Sequence, residues 1–427
     1  MILTLITIRL QLLSPGGVAG PERRQGETTP NGEPSNHIPL RRDPDGAVAL
    51  PGSTAAGSLR THCVDWPGLP DGLFGGEPGA EEKVASPVQV LGVRCHGAVP
   101  AVESAVRVAI DRHRGAAQVH ALFTVEQLPA GTEFDIHLRW DGAGTALDSF
   151  LDAVRAWRPR IGRGVTTGSG SCAVTGLAWD TYDLTKADRL LAWLAVEGPE
   201  TYPQPTEVLA VSSSPDPEID VQLDIVDGLH IGSGVPSQLP DHDSEVALVV
   251  QRHDVPHVPG SSLKGVLRSR VEYICRVLGQ PACADARCGA CRACHLFGWS
   301  PRSGADPELG GARAAVAIPD AKIDAADVEV RHHVALDRVT GGARSGLLYA
   351  QQVVVAGNFR LRVEPLRPLT DVELALLRAS VADLHDGLVG VGAAATRGLG
   401  TVRVNDATWV PPDLSALAAL VSGGPDA

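Results

Sequence analysis

The sequence predicts an α+β protein that contains one kind of domain twice, in tandem. Four sequence blocks recur in the same order in the two halves of the chain. In each half, strand-like and helix-like patterns alternate, and two helices interrupt the strands. Apolar residues make up 44% of the 427 residues, which suffices for sizeable cores and excludes a globally disordered chain. At about 100–200 residues per domain, this length suits two or three domains.

The repeat is clearest in two long blocks. The segment LPGSTAAGSLRTH (50–62) matches VPGSSLKGVLRSR (258–270), and the segment that begins IDRHRG (110–138) matches the one that begins LDRVTG (336–363). A Leu-Phe-Gly triplet lies between these blocks in both halves, and a glycine cluster follows them. Self-similarity at this scale indicates a duplicated structural unit.

The repeat and the composition define the predicted domain organisation. We expect a first domain over 1–197, a linker over 198–218 rich in Pro, Ser and acidic residues, a second domain over 219–410 and a C-terminal tail over 411–427. The second domain carries an insertion at about 281–297 that the first domain lacks.

The elements of the second copy follow from their patterns. Residues 219–226 alternate as a strand, and the Pro-Gly-Ser-Ser turn opens a helix with apolar residues at helical spacing. Strands are expected at 314–320, 346–355 and 358–365, a helix over 371–388, and a final strand over 400–404 after the glycine loop. Strands interrupted by two helices indicate a ferredoxin-like core. A short helix is expected in the tail.

The first thirteen residues, MILTLITIRLQLL, are predicted to form the first strand. They lack a preceding basic region, Arg9 interrupts them, and no small-residue cleavage site follows, so they do not resemble a signal peptide. No apolar run reaches the length of about 18 residues that a transmembrane helix needs. We expect a cytoplasmic protein with reduced thiols and no membrane partner.

The net charge of −13 argues against nucleic acid as a partner, since proteins that bind phosphates are usually basic. A local patch can still bind. Residues 251–270 carry Arg252, Lys264, Arg268 and Arg270 against the single acid Asp254.

The helix-start block is the first candidate binding site. A Gly-Ser-Ser turn at a helix N-terminus offers free N–H groups and the positive end of the helix dipole, which suit a phosphate. The alternative is ordinary capping by a serine beside a solvated basic face, and the recurrence in both halves favours phosphate. The candidate residues are Gly260, Ser261, Ser262, Lys264 and Arg268, with Gly52, Ser53 and Arg60 in the first copy.

The glycine clusters are the second candidate site. They do not fit a dinucleotide fingerprint, because they follow a helix and precede a strand. They indicate a backbone that comes very close either to RNA phosphates or to a neighbouring element. The candidate residues are Gly162 and Gly164 in the first copy, and Gly390, Gly392, Arg397, Gly398 and Gly400 in the second.

The cysteines supply a candidate metal site. Cys283, Cys288, Cys291 and Cys294 lie within twelve residues, and His295 follows directly. This spacing is typical of structural zinc, and His295 is an alternative to one of the thiolates. An iron–sulfur cluster is the less favoured alternative, and a disulfide knot does not suit a cytosolic chain.

The acidic loop of the second copy is the last candidate. Asp241, Asp243 and Glu245 precede the helix-start block, where an acid would bind a divalent ion or act on a ribose 2′-OH. The alternative is a solvated polar loop. In the first copy, we place Asn36 and His37 where Asp243 falls.

Taken together, these motifs resemble the RAMP superfamily of CRISPR proteins. The residues that carry the resemblance are VPGSSLKGVLRSR, the cysteine cluster that ends in HLFG, the block from LDRVTGG to VVVAGNFRL, and GVGAAATRGLG. They are most similar to the backbone subunits of type III effector complexes, of the Csm and Cmr kind. The first copy resembles the family more weakly, so the whole chain looks like a fusion of two backbone subunits.

The resemblance implies an RRM-related palm that binds CRISPR guide RNA through its phosphates and shape. By position, the helix start, Arg268 and the glycine loop would touch that RNA. Residues 337–340, with Arg338 and Thr340, would begin a thumb hairpin that displaces one base of the duplex, and Arg112 is the counterpart of Arg338. A loop acid, Asp243 or next Asp241, would cut target single-stranded RNA with Mg²⁺ or another divalent ion.

We therefore predict a guide-RNA-binding backbone subunit that assembles with other CRISPR effector subunits and cleaves target RNA through its second copy. The first copy is expected to be inactive, with His37 as a minor alternative base. One rival function is a scaffold without catalysis. A second is a guide-precursor processing ribonuclease, which needs a catalytic histidine near the groove. A third, a metabolic enzyme with a zinc ribbon, lacks a substrate pocket in the repeat.

Overall fold

The fold is given by a computed structural model, in which the chain divides into two compact units. Unit 1 comprises 1–105, 123–165 and 169–214, and unit 2 comprises 106–122, 166–168 and 215–427. The structure describes residues 1–20, 37–76, 85–98, 100–111, 116–142, 146–211, 216–240, 242, 244–283, 288–300 and 310–422.

The first half of the chain builds a five-stranded sheet around its N-terminal strand. The sheet has the order β3-β6-β1-β7-β8, and β1 pairs antiparallel with both β6 and β7. Because β1 is central, its residues are buried on both faces, which explains the continuous apolar run in the sequence. The strands are β1 (Ile2–Leu12), β2 (His37–Ile38), β3 (Val88–Cys95), β4 (Glu103–Asp111), β5 (Ala116–Gln127), β6 (Glu133–Asp141), β7 (Cys172–Asp183) and β8 (Glu207–Val208). The helices are α1 (Gly52–Cys63), α2 (Leu147–Ala156) and α3 (Ala187–Leu194).

The second half repeats this plan with longer strands. The strands are β9 (Ile219–Ile225), β10 (Gly232–Gln238), β11 (Glu245–Val249), β12 (Gln251–Arg252), β13 (Val255–Val258), β14 (Val316–Ala317), β15 (Ala321–Leu336), β16 (Ala343–Pro365) and β17 (Val402–Val404). The helices are α4 (Gly260–Val277), α5 (Arg292–Phe297), α6 (Asp371–His385) and α7 (Leu414–Ser422). In its sheet, β9 lies between β16 and β17, and β15 pairs with the other edge of β16.

The core of the second half forms between its sheet and helices α4 and α6. Leu263, Leu267 and Val271 of α4 and Leu377 and Val381 of α6 are fully buried, as their helical spacing predicts. A capping box starts α6. The Thr370 hydroxyl accepts from the Glu373 backbone N–H, and the Glu373 carboxylate accepts from the Thr370 backbone N–H.

The predicted α+β class is confirmed, as are the first strands of both halves, the two long helices of the second half and the short tail helix. Two predictions about elements are wrong. The expected strands 346–355 and 358–365 form the single strand β16, and the sequence analysis missed β15. Part of the expected linker 198–218 forms β8, which pairs with β7 as the fifth strand of the first sheet.

The two halves make the same long-range backbone contacts. In unit 1 the Leu13 N–H donates to Ser171 O, and in unit 2 the Val226 N–H donates to Thr401 O. Further along the same loops, the Ile161 N–H donates to Gly170 O and the Val391 N–H donates to Gly400 O. These equivalent bonds show that matching segments of the sequence repeat make matching contacts within their own unit.

Among the described residues, none of the helices combines the length and the apolar character that crossing a membrane would require.

Candidate metal centre and nucleic-acid interface

The four predicted cysteines meet at one point in unit 2. Their Sγ atoms all lie within 4.8 Å of one another. The Cys283 Sγ atom lies 3.3 Å from Cys288 Sγ, 3.5 Å from Cys291 Sγ and 3.3 Å from Cys294 Sγ. Three of the four side chains are buried in the core between α4 and α5, and Cys288 is exposed.

This arrangement fits a tetrahedral thiolate site for a metal ion such as zinc. A zinc ion with Zn–S bonds of about 2.3 Å needs sulfur atoms about 3.8 Å apart, so the four thiols are already close to that spacing. Burial alone would raise the pKa of the Cys288 thiol, but the backbone N–H of Ala290 and the neighbouring thiol of Cys283 lower it to about 7. A thiolate is the form that binds a metal. His295 is not part of the group, because its Nε2 atom lies 3.2 Å from the Gly289 carbonyl oxygen.

Arg268, which the sequence predicts to face RNA, points into this cluster. Its Nη2 atom lies 3.4 Å from Cys294 Sγ and its Nη1 atom donates to Gly298 O at 2.8 Å. Its Nε atom donates to the Glu272 carboxylate at 3.0 Å, one turn further along α4. The side chain is 16% exposed and that of Glu272 is 6% exposed, so this ion pair belongs to the interior. Glu272 was missed in the sequence, although its i,i+4 spacing from Arg268 was a readable signal.

The start of α4 is occupied by a carboxylate of the protein itself. The Gly260 N–H donates to Asp320 Oδ1 at 2.7 Å, and Asp320 Oδ2 accepts from Arg252 at 3.0 Å. Gly260 is buried, whereas Ser261 is exposed and Ser262 is half-buried. The Lys264 ammonium donates to Thr166 Oγ1 at 2.8 Å, and both residues belong to unit 2. Burial and then the nearby Arg268 charge lower the pKa of Lys264 to about 8.

Three of the four basic residues expected to form a patch over 251–270 are paired with carboxylates of the protein, and the fourth, Lys264, donates to a hydroxyl. Arg252 pairs with Asp320 and Arg270 pairs with Asp383 of α6, besides the partners of Lys264 and Arg268. His62, which stands at the position of Arg270 in the first half, likewise bonds to α2 through the Ala153 carbonyl. The charges of α4 serve mainly to attach it to its neighbours.

The first-half helix start faces a more open environment. A cleft of about 430 Å³ is lined by the α1 start and by the β3 edge. Its lining includes Gly52, Ser53, Arg60, Phe74 and Val90. Arg60 donates to the carbonyl oxygens of Gly75 and Gly76 at 3.5 and 3.1 Å.

The glycine loops pack closely against the segment that follows the first strand of their own half. A Cβ atom on Gly162 would lie 1.9 Å from Gly17 O, and one on Gly392 would lie 2.6 Å from His230 O. A Cβ atom on Gly400 would lie 2.3 Å from Val391 O. Packing therefore requires glycine at these positions. Gly398 differs, because its Cβ position is open although its φ is +84°.

Three further candidate residues belong to the glycine loops, namely Gly164, Gly390 and Arg397. Gly164 has a φ of +77°. Gly390 begins the second glycine loop and Arg397 lies within it. A Cβ atom on Gly390 would lie 3.1 Å from Ala395 Cβ.

The Asp337–Thr340 segment forms the turn between β15 and β16. Asp337 Oδ1 accepts from the backbone N–H groups of Val339 and Thr340, both at 2.9 Å. Arg338, Val339 and Thr340 are exposed at this turn, and Val339 is 94% exposed. On the same hairpin, the Tyr349 hydroxyl accepts from Arg397 Nη1 at 2.6 Å. This bond joins the hairpin to the glycine loop. The counterpart Arg112 lies outside the described residues.

Asp241 and Asp243 also lie outside the described residues, whereas His242 and the strand that follows them, β11, are described. Strand β11 pairs in parallel with β16, with Val246 opposite Ala350. The His242 ring lies 5.5 Å from the His332 ring of β15. The His333 ring stacks on Tyr349 at 5.1 Å. These histidines were missed in the sequence analysis.

The strand register corrects the expected match in the first copy. His37 of β2 lies opposite Thr124, which precedes Gly131 by the same interval as Ala350 precedes Gly357. His37 therefore corresponds to Val246 and not to Asp243. The position that corresponds to Asp243 is residue 34, which, like Asn36, lies outside the described residues.

A carboxylate holds His37 in this position. Its Nε2 atom lies 3.1 Å from Glu126 Oε1, and Glu126 Oε2 accepts from the Leu40 N–H at 2.9 Å. In the second half, Gln352 Oε1 accepts from the Val249 N–H at 3.1 Å in the equivalent place. Gln352 is therefore the second-half counterpart of Glu126, and His37 is bonded to Glu126.

Comparison with known proteins agrees with the repeat. A family model for the RAMP superfamily matches residues 9–173 and again residues 222–403, which together make up more than half of the chain. No curated protein matches the chain. Each matched region contains one helix-start block, one hairpin block and one glycine loop. The chain therefore belongs to the RAMP superfamily, and the family pattern occurs in it twice.

Proposed function

We propose that this chain is a fused backbone subunit of a type III CRISPR effector complex, in which each half binds part of a guide RNA. Its membership of the RAMP superfamily supports a CRISPR-associated role. The observation that carries the proposal is the double occurrence of one loop geometry, in which the equivalent glycines Gly162 and Gly392 contact equivalent residues that follow the first strands. The proposed partners are guide RNA, target single-stranded RNA and other effector subunits.

The proposed domain type is ferredoxin-like, with a first domain that extends through β8 and a second domain over about 219–410. In the second half the strand order β17-β9-β16-β15, with α4 after β9 and α6 after β16, supports it. In the first half the order β7-β1-β6-β3, with α1 after β1 and α2 after β6, supports it equally. Both orders follow the βαββαβ pattern in which the first strand is central.

The proposed RNA surface of unit 2 is the hairpin and the loop beside it. Tyr349 and Arg397 are exposed and bonded to each other, so an aromatic face and a guanidinium lie side by side. An aromatic face stacks on any base, and a guanidinium binds a phosphate oxygen. Arg338 and Thr340 extend this surface to the hairpin tip. Arg338 and Arg397 are both exposed here. A local group of exposed cations is compatible with the acidic net charge of the whole chain.

We assign target cleavage to the acidic loop before β11, with Asp243 and Asp241 as the proposed acids. The assignment is supported by the pairing of β11, which follows these acids in the chain, with β16 of the hairpin. A divalent ion such as Mg²⁺, when bound, would stabilise negative charge that develops on the phosphate. The hairpin would hold the scissile nucleotide out of A-form stacking, which in-line attack by the 2′-OH requires.

The metal held by the cysteine cluster is proposed to be zinc, with a structural role. The four thiols all come from the insertion at about 281–297, which includes α5. Three of them are buried in the core. A closed set of four protein ligands leaves no open position for a substrate.

Cleavage by the assembled complex tests the proposal. With a matched target RNA and Mg²⁺, the wild-type complex is expected to cut, and Asp243→Ala is expected to abolish cutting while guide RNA remains bound. Asp371→Asn is the control, because Asp371 is an exposed acid at the start of α6 and does not belong to the acidic loop. Retained cutting by Asp243→Ala would remove Asp243 from the site, and a wild-type complex that binds but cuts nothing would indicate a scaffold.

A second candidate function, processing of guide precursors, is favoured by the pairing of His242 with His332. Two imidazoles can serve as the base and the acid of a metal-independent ribonuclease. Cutting of free repeat RNA by the isolated chain in the presence of a chelator, lost in His332→Ala, would support this function. Cutting that needs the divalent ion and survives His332→Ala would support target cleavage instead.

A further inference from the structure

One guanidinium in unit 2 connects helix α4 to helix α5 and to the residue that follows α5. Arg268 begins on α4 and uses each of its three nitrogens for a different acceptor. These acceptors are the Glu272 carboxylate on α4, the Gly298 carbonyl that follows α5, and the Cys294 thiol within α5. The side chain is nearly buried, so these contacts face no competition from bulk water.

The first half contains the same arginine without the cysteines. Arg60 lies at the position of Arg268 in the helix-start block, and its Nη2 atom contacts the Gly75 carbonyl. Gly75 ends the Leu-Phe-Gly triplet of the first half, as Gly298 ends that of the second. The contact from arginine to the triplet carbonyl is therefore common to both halves, whereas the contact to a thiol occurs only beside the inserted cysteines.

The chemistry of the cysteine cluster explains what the contact between Arg268 and the Cys294 thiol does. Four thiolates around a divalent ion form a negatively charged centre, and burying that charge costs free energy unless donors surround the sulfur atoms. The backbone N–H groups of Cys288 and Cys291 supply two such donors, both 3.3 Å from a sulfur atom. Arg268 supplies a donor that carries a permanent positive charge, since a guanidinium does not lose its proton in a protein.

We infer that Arg268 is a positioning residue for the metal centre, which connects the cysteine cluster to the helix-start block of α4, and that it is not an RNA contact. This inference rests on the proposed zinc site. Groups that hold metal ligands in place typically contribute about 10–100-fold to metal affinity. The acceptors of Arg60 are the Gly75 and Gly76 carbonyls and not a thiol, so we expect Arg60 to have no such effect.

Metal affinity in the full-length chain tests this role. Wild type, Arg268→Gln, Arg268→Lys and the control Arg60→Gln are loaded with Zn²⁺, and metal release to a chromogenic chelator is followed. Co²⁺ loading then reports the thiolate coordination through its absorption bands. We expect Arg268→Gln to weaken Zn²⁺ binding by about 10–100-fold, Arg268→Lys to weaken it less, and Arg60→Gln to leave it within about twofold of wild type.

Each outcome decides a separate question. Zn²⁺ affinity in Arg268→Gln that equals wild type would overturn the inference while leaving the zinc site intact. A wild-type chain that binds neither Zn²⁺ nor Co²⁺ would overturn the zinc site itself. An equal loss in Arg60→Gln would overturn the inference as well, because it would reflect general destabilisation. Should Arg268→Gln be recovered only as aggregate, the comparison of Arg268→Lys with Arg60→Lys decides in the same way.

Discussion

The Arg268 Nη2 atom lies 3.4 Å from the Cys294 Sγ atom, so a basic residue of the repeated helix-start block faces the cysteine cluster and not the surface. The same side chain is bonded to Gly298 O, and its first-half counterpart Arg60 is bonded to Gly75 O. A positive charge in a repeated motif therefore serves the fold in both halves. Arg338 and Arg397, two exposed cations of unit 2, lie on its hairpin and glycine loop, where RNA is proposed to bind.

Metal removal is expected to destabilise the second half of the chain. Cys283, Cys291 and Cys294 belong to its core, so losing the ion removes the bonds that hold these side chains together there. A strong chelator should lower the melting temperature of wild type by about 10 °C or more. Differential scanning calorimetry measures this shift. In Cys291→Ser the chelator should have little further effect, and an equal shift in both proteins would contradict a structural metal.

Two glycines of one loop are expected to respond differently to alanine. At Gly400 a Cβ atom would lie 2.3 Å from Val391 O, whereas at Gly398 it meets open space. Both have φ near +85°, so strain alone costs each substitution about 1 kcal/mol. Gly400→Ala should cost about 3 kcal/mol or more because the backbone must also move. Denaturant unfolding measures the difference, and equal costs would show that packing does not require Gly400.

The pH dependence of stability is expected to include a contribution from Lys264. Burial lowers its pKa from 10.5 to about 8, so between these values the unfolded chain binds the proton more strongly than the folded one. Stability due to this group therefore rises as pH increases from about 8 to 10.5, by at most about 1.4 kcal/mol per pH unit.

Lys264→Met should remove this rise, which urea unfolding at several pH values would detect. Lys322→Met is the matched control, because Lys322 is exposed and pairs with Asp324. A slope in Lys264→Met that equals the wild-type slope would mean that Lys264 stays solvated.

RNA binding is expected to depend on Tyr349 and Arg397. Tyr349→Ala removes a stacking face and should weaken guide RNA binding roughly 10-fold, while Tyr349→Phe retains the face and most of the affinity. Arg397→Ala removes a phosphate contact. It should make the slope of log K against log salt concentration shallower by about one. Filter binding at several salt concentrations measures both. Arg403→Ala, an exposed arginine on β17, is the control, and a loss as large as that of Arg397→Ala would argue against a localised surface.

Local patterns in the sequence determined the α+β class, the duplication and the cysteine site. Each of these depends on residues close together in the chain. The alternation over 219–225 predicts β9, the periodic apolar residues of 260–277 predict α4, and the cysteine spacing predicts the metal site. Short-range periodicity and spacing are properties that a sequence displays directly.

The tertiary structure decided the partners of the charged residues and the register of the strands. Asp320 caps α4 from 60 residues away, and Asp383 pairs with Arg270 across 113 residues. The match of His37 with Val246 depends on strand pairing that a gap-rich alignment does not fix. A long side chain such as that of Arg268 turns toward whichever acceptors the folded chain brings near it, so its direction is set by contacts that exist only after folding.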